Sequence, residues 1–261
     1  MDLIEAPRGL SDPHVRHPWE TARLEVVKRL IARHVQIPDG AVVVDIGCGD
    51  AWVVGSLASM FPAAEFYGVD SGLTPATIAA ARRRLSMPNL HLCQDLDALA
   101  PPPRRPAALV LLMDVIEHVE DDEAFLKDLL SRAVVDRQTC VLVTVPAYES
   151  LFSAHDVFLR HFRRYTHRTL RQRLEHAGLR VIEGSYFFLS LLPLRMLQVL
   201  KERLFGRPQT KATDLMTTHG PASAAVITRA LVADAAVSLG LTRVGITVPG
   251  LSTYAICRKS A

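Results

Sequence analysis

Hydrophobic positions follow two alternating patterns along most of the chain. Apolar residues at helical spacing predict helices, and short β-branched or aliphatic runs predict buried strands. The predicted helices are 19–35, 52–61, 75–85, 121–133, 167–177, 189–204 and 222–239. The predicted strands are 41–45, 65–69, 90–93, 107–113, 140–145, 179–186 and 243–257. Because strands alternate with helices, we predict an α/β fold with a doubly wound, Rossmann-like sheet.

The segments outside this alternation divide the chain into a core and appendages. Residues 1–18 show no periodicity and are predicted to be an N-terminal arm, followed by the core at 19–186. Residues 187–241 are predicted to be a helical insertion or lid, in which 205–221 is rich in turn residues and forms a mobile linker. Residues 242–261 then return to the core as its final strand.

The composition and charge indicate a soluble globular protein rather than one that binds nucleic acid. Of 261 residues, 49% are hydrophobic and 22% are charged, which is typical of a soluble globular protein. The formal net charge is only +3, so we expect no nucleic-acid partner. The N-terminus lacks the apolar run of a signal peptide, and no C-x-x-C pair occurs among the cysteines, so we expect a cytoplasmic protein. The cysteines are Cys48, Cys93, Cys140 and Cys257.

A glycine-containing turn follows the first predicted strand, in the sequence DIGCGDA at 45–51. Glycines there let a ligand lie against the backbone and the N-terminus of the next helix. A dinucleotide fingerprint would need Gly or Ala at position 52, where this chain has Trp52, so NAD is not expected. Asp70, 21 residues after Gly49, could accept the hydroxyls of a ribose. Asp95, with the backbone of Leu96, could bind an adenine amino group.

This ordered set resembles the class I S-adenosylmethionine-dependent methyltransferases, in particular the branch of the ubiquinone-biosynthesis type enzymes. DIGCGDA, Asp70, Asp95 and DVIEHVEDD at 114–122 carry the resemblance, which covers roughly residues 17–186. It implies a seven-stranded sheet whose last strand is antiparallel, and S-adenosylmethionine as methyl donor. Ala51 departs from the family pattern, which has glycine there. The cofactor-binding residues implied are Asp45, Gly47, Cys48, Gly49, Asp70, Ser71, Asp95, Leu96 and Met113, with the glycines at the methionine moiety, Asp70 at the ribose and Asp95 at the adenine.

Methyl transfer from a sulfonium needs orientation, and a base where the acceptor is a poorly ionised hydroxyl or amine. Candidate bases should follow the carboxyl ends of the strands, where open α/β sheets bind ligands. We predict His155 as the base, oriented by Asp156 or Glu117, with His118 as the alternative. His155, Asp156 and His161 do not have a recognised metal-ligand spacing, so no metal is expected.

The acceptor should contact the segment after the fifth strand. Residues 155–176 contain six Arg and four His against two acids, and arginines suit anionic groups. The H-D and H-x-R-R-Y-T pattern in this segment recurs in the methyltransferase branch that the chain resembles. We expect three more arginines of this segment, at 168, 171 and 173, to lie on a solvated helix face. The predicted acceptor-binding residues are Trp19, Tyr148, Arg163, Arg164 and Tyr165.

The predicted helix 189–204 carries a leucine stripe, formed by Leu194, Leu197, Leu200 and Leu204. Such a stripe usually faces the core or a partner, here a homodimer. Peripheral membrane contact through 186–204, or an apolar acceptor tunnel, is the alternative. The apolar stretch from Tyr186 to Leu200 is too short to span a bilayer.

We therefore predict a methyltransferase that acts on a small-molecule acceptor, with oxygen as the expected acceptor atom and a partly apolar or anionic acceptor. A protein or RNA methyltransferase is one alternative, although the modest charge disfavours RNA. The sequence MDVIEH after the fourth strand lacks the N-P-P-[FY] type motif of enzymes that methylate planar amines. A non-catalytic subunit that binds S-adenosylmethionine is the other alternative, and would show eroded glycines and acids.

Overall fold

The structure is a computed structural model that describes residues 16–98, 101–206 and 221–260. Most of the predicted arm at 1–18 and of the predicted linker at 205–221 lies outside these residues. The helices are α1 (Pro18–His34), α2 (Trp52–Met60), α3 (Pro75–Leu85), α4 (Asp122–Ser131), α5 (Ala154–Phe158), α6 (His167–His176), α7 (Leu191–Phe205) and α8 (Pro221–Arg243). The strands are β1 (Val42–Ile46), β2 (Glu65–Val69), β3 (Leu90–Cys93), β4 (Leu109–Met113), β5 (Cys140–Pro146), β6 (Leu179–Phe187) and β7 (Ser252–Lys259).

The strands form a seven-stranded sheet in the order β3-β2-β1-β4-β5-β7-β6. Neighbours among β1 to β5 are parallel, and β7 lies antiparallel between β5 and β6. The predicted doubly wound sheet with an antiparallel last strand is thereby confirmed. The strand order reverses between β1 and β4, which opens a crevice at the carboxyl ends of these two strands.

Local sequence explains the main elements. β1 is buried along its whole length, as its β-branched residues require in a sheet covered on both faces. Thr74 caps α3 and Thr166 caps α6, each in a capping box, while Pro18 begins α1. Gly178, with φ +100°, ends α6 in the left-handed conformation that glycine tolerates.

Two apolar layers enclose the sheet. One layer packs α1, α2 and α8 against one face, and the other packs α4 and α6 against the opposite face. The site described below lies at the carboxyl edge of this three-layer core.

Two predicted boundaries at the C-terminal end are wrong. The last helix runs on to Arg243, beyond the predicted limit at 239, so the boundary drawn at 241/242 falls inside it. The last strand begins at Ser252 rather than near residue 243. Residues 244–251 form an irregular connection that crosses closely over β6, where a Cβ on Gly250 would lie 2.3 Å from the carbonyl oxygen of Phe187. The β-branched residues Val244, Ile246 and Val248 made this connection resemble a strand in sequence.

The leucine stripe of α7 does not face the core. Leu194, Leu197, Leu200 and Leu204 are between 45% and 67% exposed, whereas the buried side chains of α7 are Leu191, Arg195 and Val199. The core-facing interpretation of the stripe is therefore wrong. The interpretations as a contact with a partner or a membrane stay predictions.

One described helix is long and apolar enough to cross a bilayer. Residues Ala222–Arg243 of α8 have a mean hydropathy of 1.6 in their most apolar window. Length and composition are the whole of this evidence, and a core helix of a globular domain meets the same criteria. In the structure, Leu231, Ala235 and Leu239 of α8 are buried in the layer that also contains α1.

Candidate functional site

The turn between β1 and α2 is held by backbone hydrogen bonds from the neighbouring strand. The N–H groups of Gly47 and Cys48 donate to the carbonyl oxygen of Val69, at 2.7 and 3.1 Å. Gly47 has φ +71°, and a Cβ there would lie 2.6 Å from Val115. Glycine is thus required at position 47 both by the backbone conformation and by close packing.

Asp70 fixes the far side of this turn. Its carboxylate accepts the N–H of Gly49 at 2.8 Å through one oxygen and the N–H of Gly72 at 2.8 Å through the other. Asp70 therefore orders the β1–α2 turn and the loop after β2 together. Each oxygen keeps a second lone pair with which it can accept a ligand hydroxyl.

Ala51 occupies the position where the family pattern has glycine. It adopts φ +62° and ψ +16°, a left-handed conformation that costs an ordinary residue roughly 1–2 kcal/mol. Ala51 thus adopts a left-handed backbone conformation that glycine would adopt without this cost.

Asp45 is fully buried at the end of β1, and its carboxylate oxygens have no hydrogen-bond partner among the residues described. Burial raises the pKa of Asp45 to about 7, and the positive charge of Arg23 partly opposes this. An unpartnered buried acid is unfavourable, so this carboxylate needs a proton or a cationic group beside it.

The remaining predicted cofactor residues line the same edge of the sheet at different depths. Asp95 is exposed beyond β3, where it accepts the N–H of Asp97 at 2.8 Å. Leu96 is half-buried and Ser71 is exposed, whereas Cys48 and Met113 are buried. The structure therefore places all nine predicted residues at the ends of β1 to β4. Whether each contacts the cofactor stays a prediction.

The first helix reaches the end of β4 through an ion pair. Arg23 of α1 pairs with Asp114, and its guanidinium lies 4.4 Å from the centre of the Trp19 ring. Asp114 also has a positive φ, +54°. The predicted acceptor-binding residue Trp19 thus lies on a helix tied directly to the β4 end.

One acid and two imidazoles lie together beyond the end of β4. They are Glu117 and His118, which follow Asp114 in the chain, and His161. Glu117 is fully buried, and neither of its carboxylate oxygens has a hydrogen-bond partner within the described part of the chain. Burial and the nearby negative charge of Asp114 raise the pKa of Glu117 well above its usual range. The rings of His118 and His161 meet edge to face, with centres 4.6 Å apart.

Asp156 organises residues 149–165, the covering segment, which reaches this cluster through His161. Its carboxylate accepts hydrogen bonds from Arg164 at 2.7 Å and Arg195 at 2.9 Å, and it pairs with Nδ1 of His161 at 2.9 Å. Burial alone would raise the pKa of Asp156, but these partners hold it well below its ordinary value. The imidazole that Asp156 orients is thus His161, rather than the predicted His155.

Three of the predicted acceptor-binding residues, Arg163, Arg164 and Tyr165, have internal partners. The Tyr165 hydroxyl donates to Asp122 at 2.7 Å and is buried, and burial raises its pKa. Arg163 pairs with the same Asp122 at 3.1 Å. The contacts with Asp122 anchor the covering segment to the start of α4, whereas the pair between Arg164 and Asp156 lies within the segment and holds it together.

Tyr148 is placed differently, directly after β5. It is half-buried, and its ring stacks on that of Tyr186 with centres 5.1 Å apart. Burial raises the pKa of Tyr148 to about 12, and the adjacent Tyr186 adds to the shift. Its φ of +61° is unusual for a bulky residue, and such strain is often found at functional sites.

His155 lies on α5, half-buried, one residue before Asp156. Sequence reasoning gave no site role to Arg195, and it gave His161 a place only in the H-x-R-R-Y-T pattern and in a rejected metal set. The signal for His161 was present in the segment HFRRYT, but the partners of Arg195 are about 40 residues away in sequence and could not be inferred.

A cavity of about 290 Å³ lies between the covering segment and α7. It is lined by Phe152, Ser153, Ala154, Val157, Val199, Glu202, Arg203 and Gly206.

Comparisons with known proteins agree with this geometry. A family model described as a methyltransferase domain matches residues 19–184, more than half of the chain. Trans-aconitate 2-methyltransferase of Variovorax paradoxus (strain S110) is 32% identical over 120 residues, which are 46% of this chain and 44% of that protein. The chain thus matches less than half the length of this curated relative.

Solved structures share the fold. A chain of the Haloferax volcanii complex between the Trm112 methyltransferase activator and a methyltransferase has a TM-score of 0.56 at 17% identity, over 93% of this chain and 91% of that one. The plantazolicin methyltransferase BamL, in complex with a triazolic desmethylPZN analog and SAH, has a TM-score of 0.54 at 16% identity, over 94% of this chain and 86% of that one. At these identities the likeness concerns the fold alone.

Proposed function

Because the chain belongs to the class I S-adenosylmethionine-dependent methyltransferases, we propose that it transfers the methyl group to an oxygen atom of a small-molecule acceptor. The observation that carries this proposal is the cluster of Glu117, His118 and His161 at the end of β4. It provides buried acid and imidazole groups next to the glycine turn, where a hydroxyl would need to lose a proton.

The described residues fit the methyl donor. S-adenosylmethionine carries a positive ammonium and a positive sulfonium group, and Asp45 offers a buried carboxylate without a hydrogen-bond partner among the described residues. The backbone of the turn at 47–49 has the conformation that lets a ligand approach the start of α2. Asp70 keeps lone pairs for the ribose hydroxyls. When bound, the donor supplies an activated methyl group.

A small acceptor is supported by the likeness to trans-aconitate 2-methyltransferase, which is 32% identical to this chain over 120 residues. The modest net charge also favours a small acceptor over RNA. An anionic group on the acceptor is less well supported, since Arg163 and Arg164 are already paired with Asp122 and Asp156.

The protein's own residues have three tasks in this reaction. Trp19, on the helix that is tied to the end of β4, and Tyr148, directly after β5, provide aromatic surfaces that can orient the acceptor. The covering segment at 149–165 excludes water from the reacting atoms. A histidine, His155 or His118, accepts the proton of the acceptor hydroxyl, because imidazole titrates near neutral pH.

Two measurements test the proposed function. Calorimetry with S-adenosylhomocysteine should show binding to the wild-type protein, and a panel of small hydroxyl and carboxylate compounds should show methyl transfer from labelled donor. His155→Ala or His118→Ala, assayed at saturating donor, should lower the rate by roughly 10²–10⁴-fold for the histidine that is the base. His176→Ala, on the exposed face of α6, is the matched control and should leave the rate unchanged.

Outcomes separate this proposal from its rivals. Binding of S-adenosylhomocysteine without turnover on any acceptor would favour a non-catalytic subunit. Transfer to a protein or RNA but to no small molecule would refute the acceptor class. Full activity of both histidine variants across pH 6–9 would show that the acceptor needs no base.

A further inference from the structure

The side chains of Glu117, His118 and His161 point to a site for a divalent metal ion. One carboxylate oxygen and one nitrogen from each imidazole lie within 4.8 Å of one another. We propose that these three residues bind one divalent transition-metal ion of the zinc type. This reverses the expectation of no metal, and the cluster differs from the set His155, Asp156 and His161 that spacing argued against.

The donor atoms determine the class of ion. Two imidazoles and one carboxylate are the ligand set of catalytic zinc sites, which keep a fourth position open. Magnesium and calcium prefer ligand sets made of oxygen, so they fit less well. Metal–ligand bonds of ~2.0–2.2 Å bring tetrahedral ligands to roughly 3.3–3.5 Å from one another. Small side-chain rotations would therefore close the present cluster around the ion.

The buried acid is an independent observation for a cation. Glu117 has no solvent exposure, and its oxygens have no hydrogen-bond partner in the ranges the structure describes. Buried carboxylates are normally hydrogen-bonded, paired or bound to a metal. Arg23 and Arg164 are the cationic groups whose charges act on Glu117, and they pair with Asp114 and Asp156 instead, so an ion would supply what Glu117 lacks.

His161 is held as metal-binding histidines are held. Nδ1 of His161 pairs with Asp156 at 2.9 Å, which leaves Nε2 as the ligating nitrogen. A carboxylate behind a ligating imidazole fixes its tautomer and orientation. Asp156 is itself fixed by Arg164 and Arg195, so His161 is oriented before any ion arrives. Asp156 is a positioning residue in this arrangement.

A backbone hydrogen bond joins the two chain segments that contribute residues to the cluster. The N–H of Phe162, next to His161, donates to the carbonyl oxygen of Glu117 at 2.8 Å. The covering segment and the β4 end are thus joined at the proposed site. An ion there would add a second connection between them.

The role of this ion rests on the proposed function. An ion held by these three residues would leave a coordination position for the acceptor oxygen, and a bound cation lowers the pKa of a coordinated hydroxyl. His118 could not accept a proton at the nitrogen that binds the ion. The proposal therefore makes His118 a ligand and leaves His155 as the candidate base.

Metal binding is tested directly on the full-length, tag-free protein. After chelator treatment and dialysis, calorimetric titration with Zn²⁺ should show one site per chain, and Co²⁺ should give the visible spectrum of a site with nitrogen ligands. Glu117→Gln and His161→Gln should each weaken Zn²⁺ binding at least tenfold, and Asp156→Asn should weaken it about 10–100-fold. Glu117→Gln keeps the shape of the side chain and removes a buried charge, so it is expected to fold.

The control variant His91→Ala removes the histidine of another histidine–glutamate pair, which lies outside the cluster. His91 contacts Glu65 at 2.7 Å on β3 and β2, away from the cluster, so the affinity of His91→Ala for Zn²⁺ should equal that of the wild type. No Zn²⁺ binding by the wild-type protein, or equal binding by wild type, Glu117→Gln and His161→Gln, would overturn the proposal. Calorimetry with S-adenosylhomocysteine in the presence of chelator is measured alongside. Donor binding without metal binding rejects this site and leaves the proposed function standing, whereas metal binding without turnover rejects the proposed function alone.

Discussion

Among single residues, Asp70 combines a structural and a ligand-binding task in one carboxylate. It accepts hydrogen bonds from the N–H groups of Gly49 and Gly72, and each of its oxygens keeps a further lone pair for a ligand. The spacing of Asp70 from the glycines could be seen in the sequence. Its hydrogen bond to Gly49 could not, because it depends on the register of β1 with β2.

Asp70→Ala should weaken binding of S-adenosylhomocysteine by roughly 1.5–3 kcal/mol, the range for hydrogen bonds to a charged group. This corresponds to about a 10–150-fold higher Kd in calorimetry. Asp128→Ala, which removes an exposed acid of α4 paired with Arg132, should leave the Kd unchanged. An unaltered Kd in a folded Asp70→Ala protein would remove the ribose assignment.

Asp156 shows where residue-scale prediction failed. Sequence reasoning placed it beside His155 because the two are adjacent in the chain. In the structure it pairs with His161, five residues later, and with Arg164 and Arg195. Side chains of adjacent residues point in different directions on a helix, so sequence neighbours are poor candidates for a shared hydrogen bond.

At the scale of elements, strands were predicted well where one pattern dominated. β1, β2 and β3 lie within a residue of their predicted bounds, because each is a short apolar run between clear turn residues. α7 was misjudged because its leucines formed the obvious stripe. The buried side of α7 contains Arg195, which pairs with Asp156. A hydrophobic pattern predicts that a charged residue is exposed, so it could not identify this side as the buried one.

The two faces of α7 can be compared with one substitution each. Val199 is 4% exposed and Leu200 is 51% exposed. Val199→Ser should lower the free energy of unfolding by about 2–4 kcal/mol, since it leaves a cavity and buries a hydroxyl. Leu200→Ser should change it by less than about 0.5 kcal/mol. Urea denaturation at two protein concentrations measures both.

A large loss for Leu200→Ser would contradict the exposed orientation of this face. Should that loss grow with protein concentration, a second copy of the chain would cover the leucines in solution.

The whole molecule was the most predictable scale. Alternating strands and helices determine a doubly wound sheet, and in such a sheet the carboxyl ends of the strands converge on one crevice. Residues 45–49, 70, 95 and 114–118, far apart in sequence, were therefore expected at one edge, and the structure places them there. The covering segment was not predictable in the same way, because its position depends on long-range ion pairs rather than on periodicity.

Asp45 makes the stability of the whole molecule depend on pH. Its pKa is about 7 in the folded protein, against about 3.9 for an ordinary Asp, because burial disfavours the carboxylate. Between about pH 4 and pH 7, Asp45 is therefore protonated in the folded state and ionised in the unfolded chain. Stability must fall as pH rises through this window, and the full penalty applies above it.

Asp45→Asn removes this titration while keeping the shape of the side chain. In the ligand-free protein it should raise the free energy of unfolding at pH 8 by a few kcal/mol relative to wild type, and by little at pH 4. Among the described residues, Arg23 and Asp70 are charged groups that act on Asp45, and both are present in the two proteins, so the difference between their curves isolates Asp45. Denaturant titrations at pH 4, 6 and 8 measure the two curves. A constant offset across this range would show that Asp45 does not titrate in it, and the assignment of a buried, protonated acid beside the glycine turn would then be wrong.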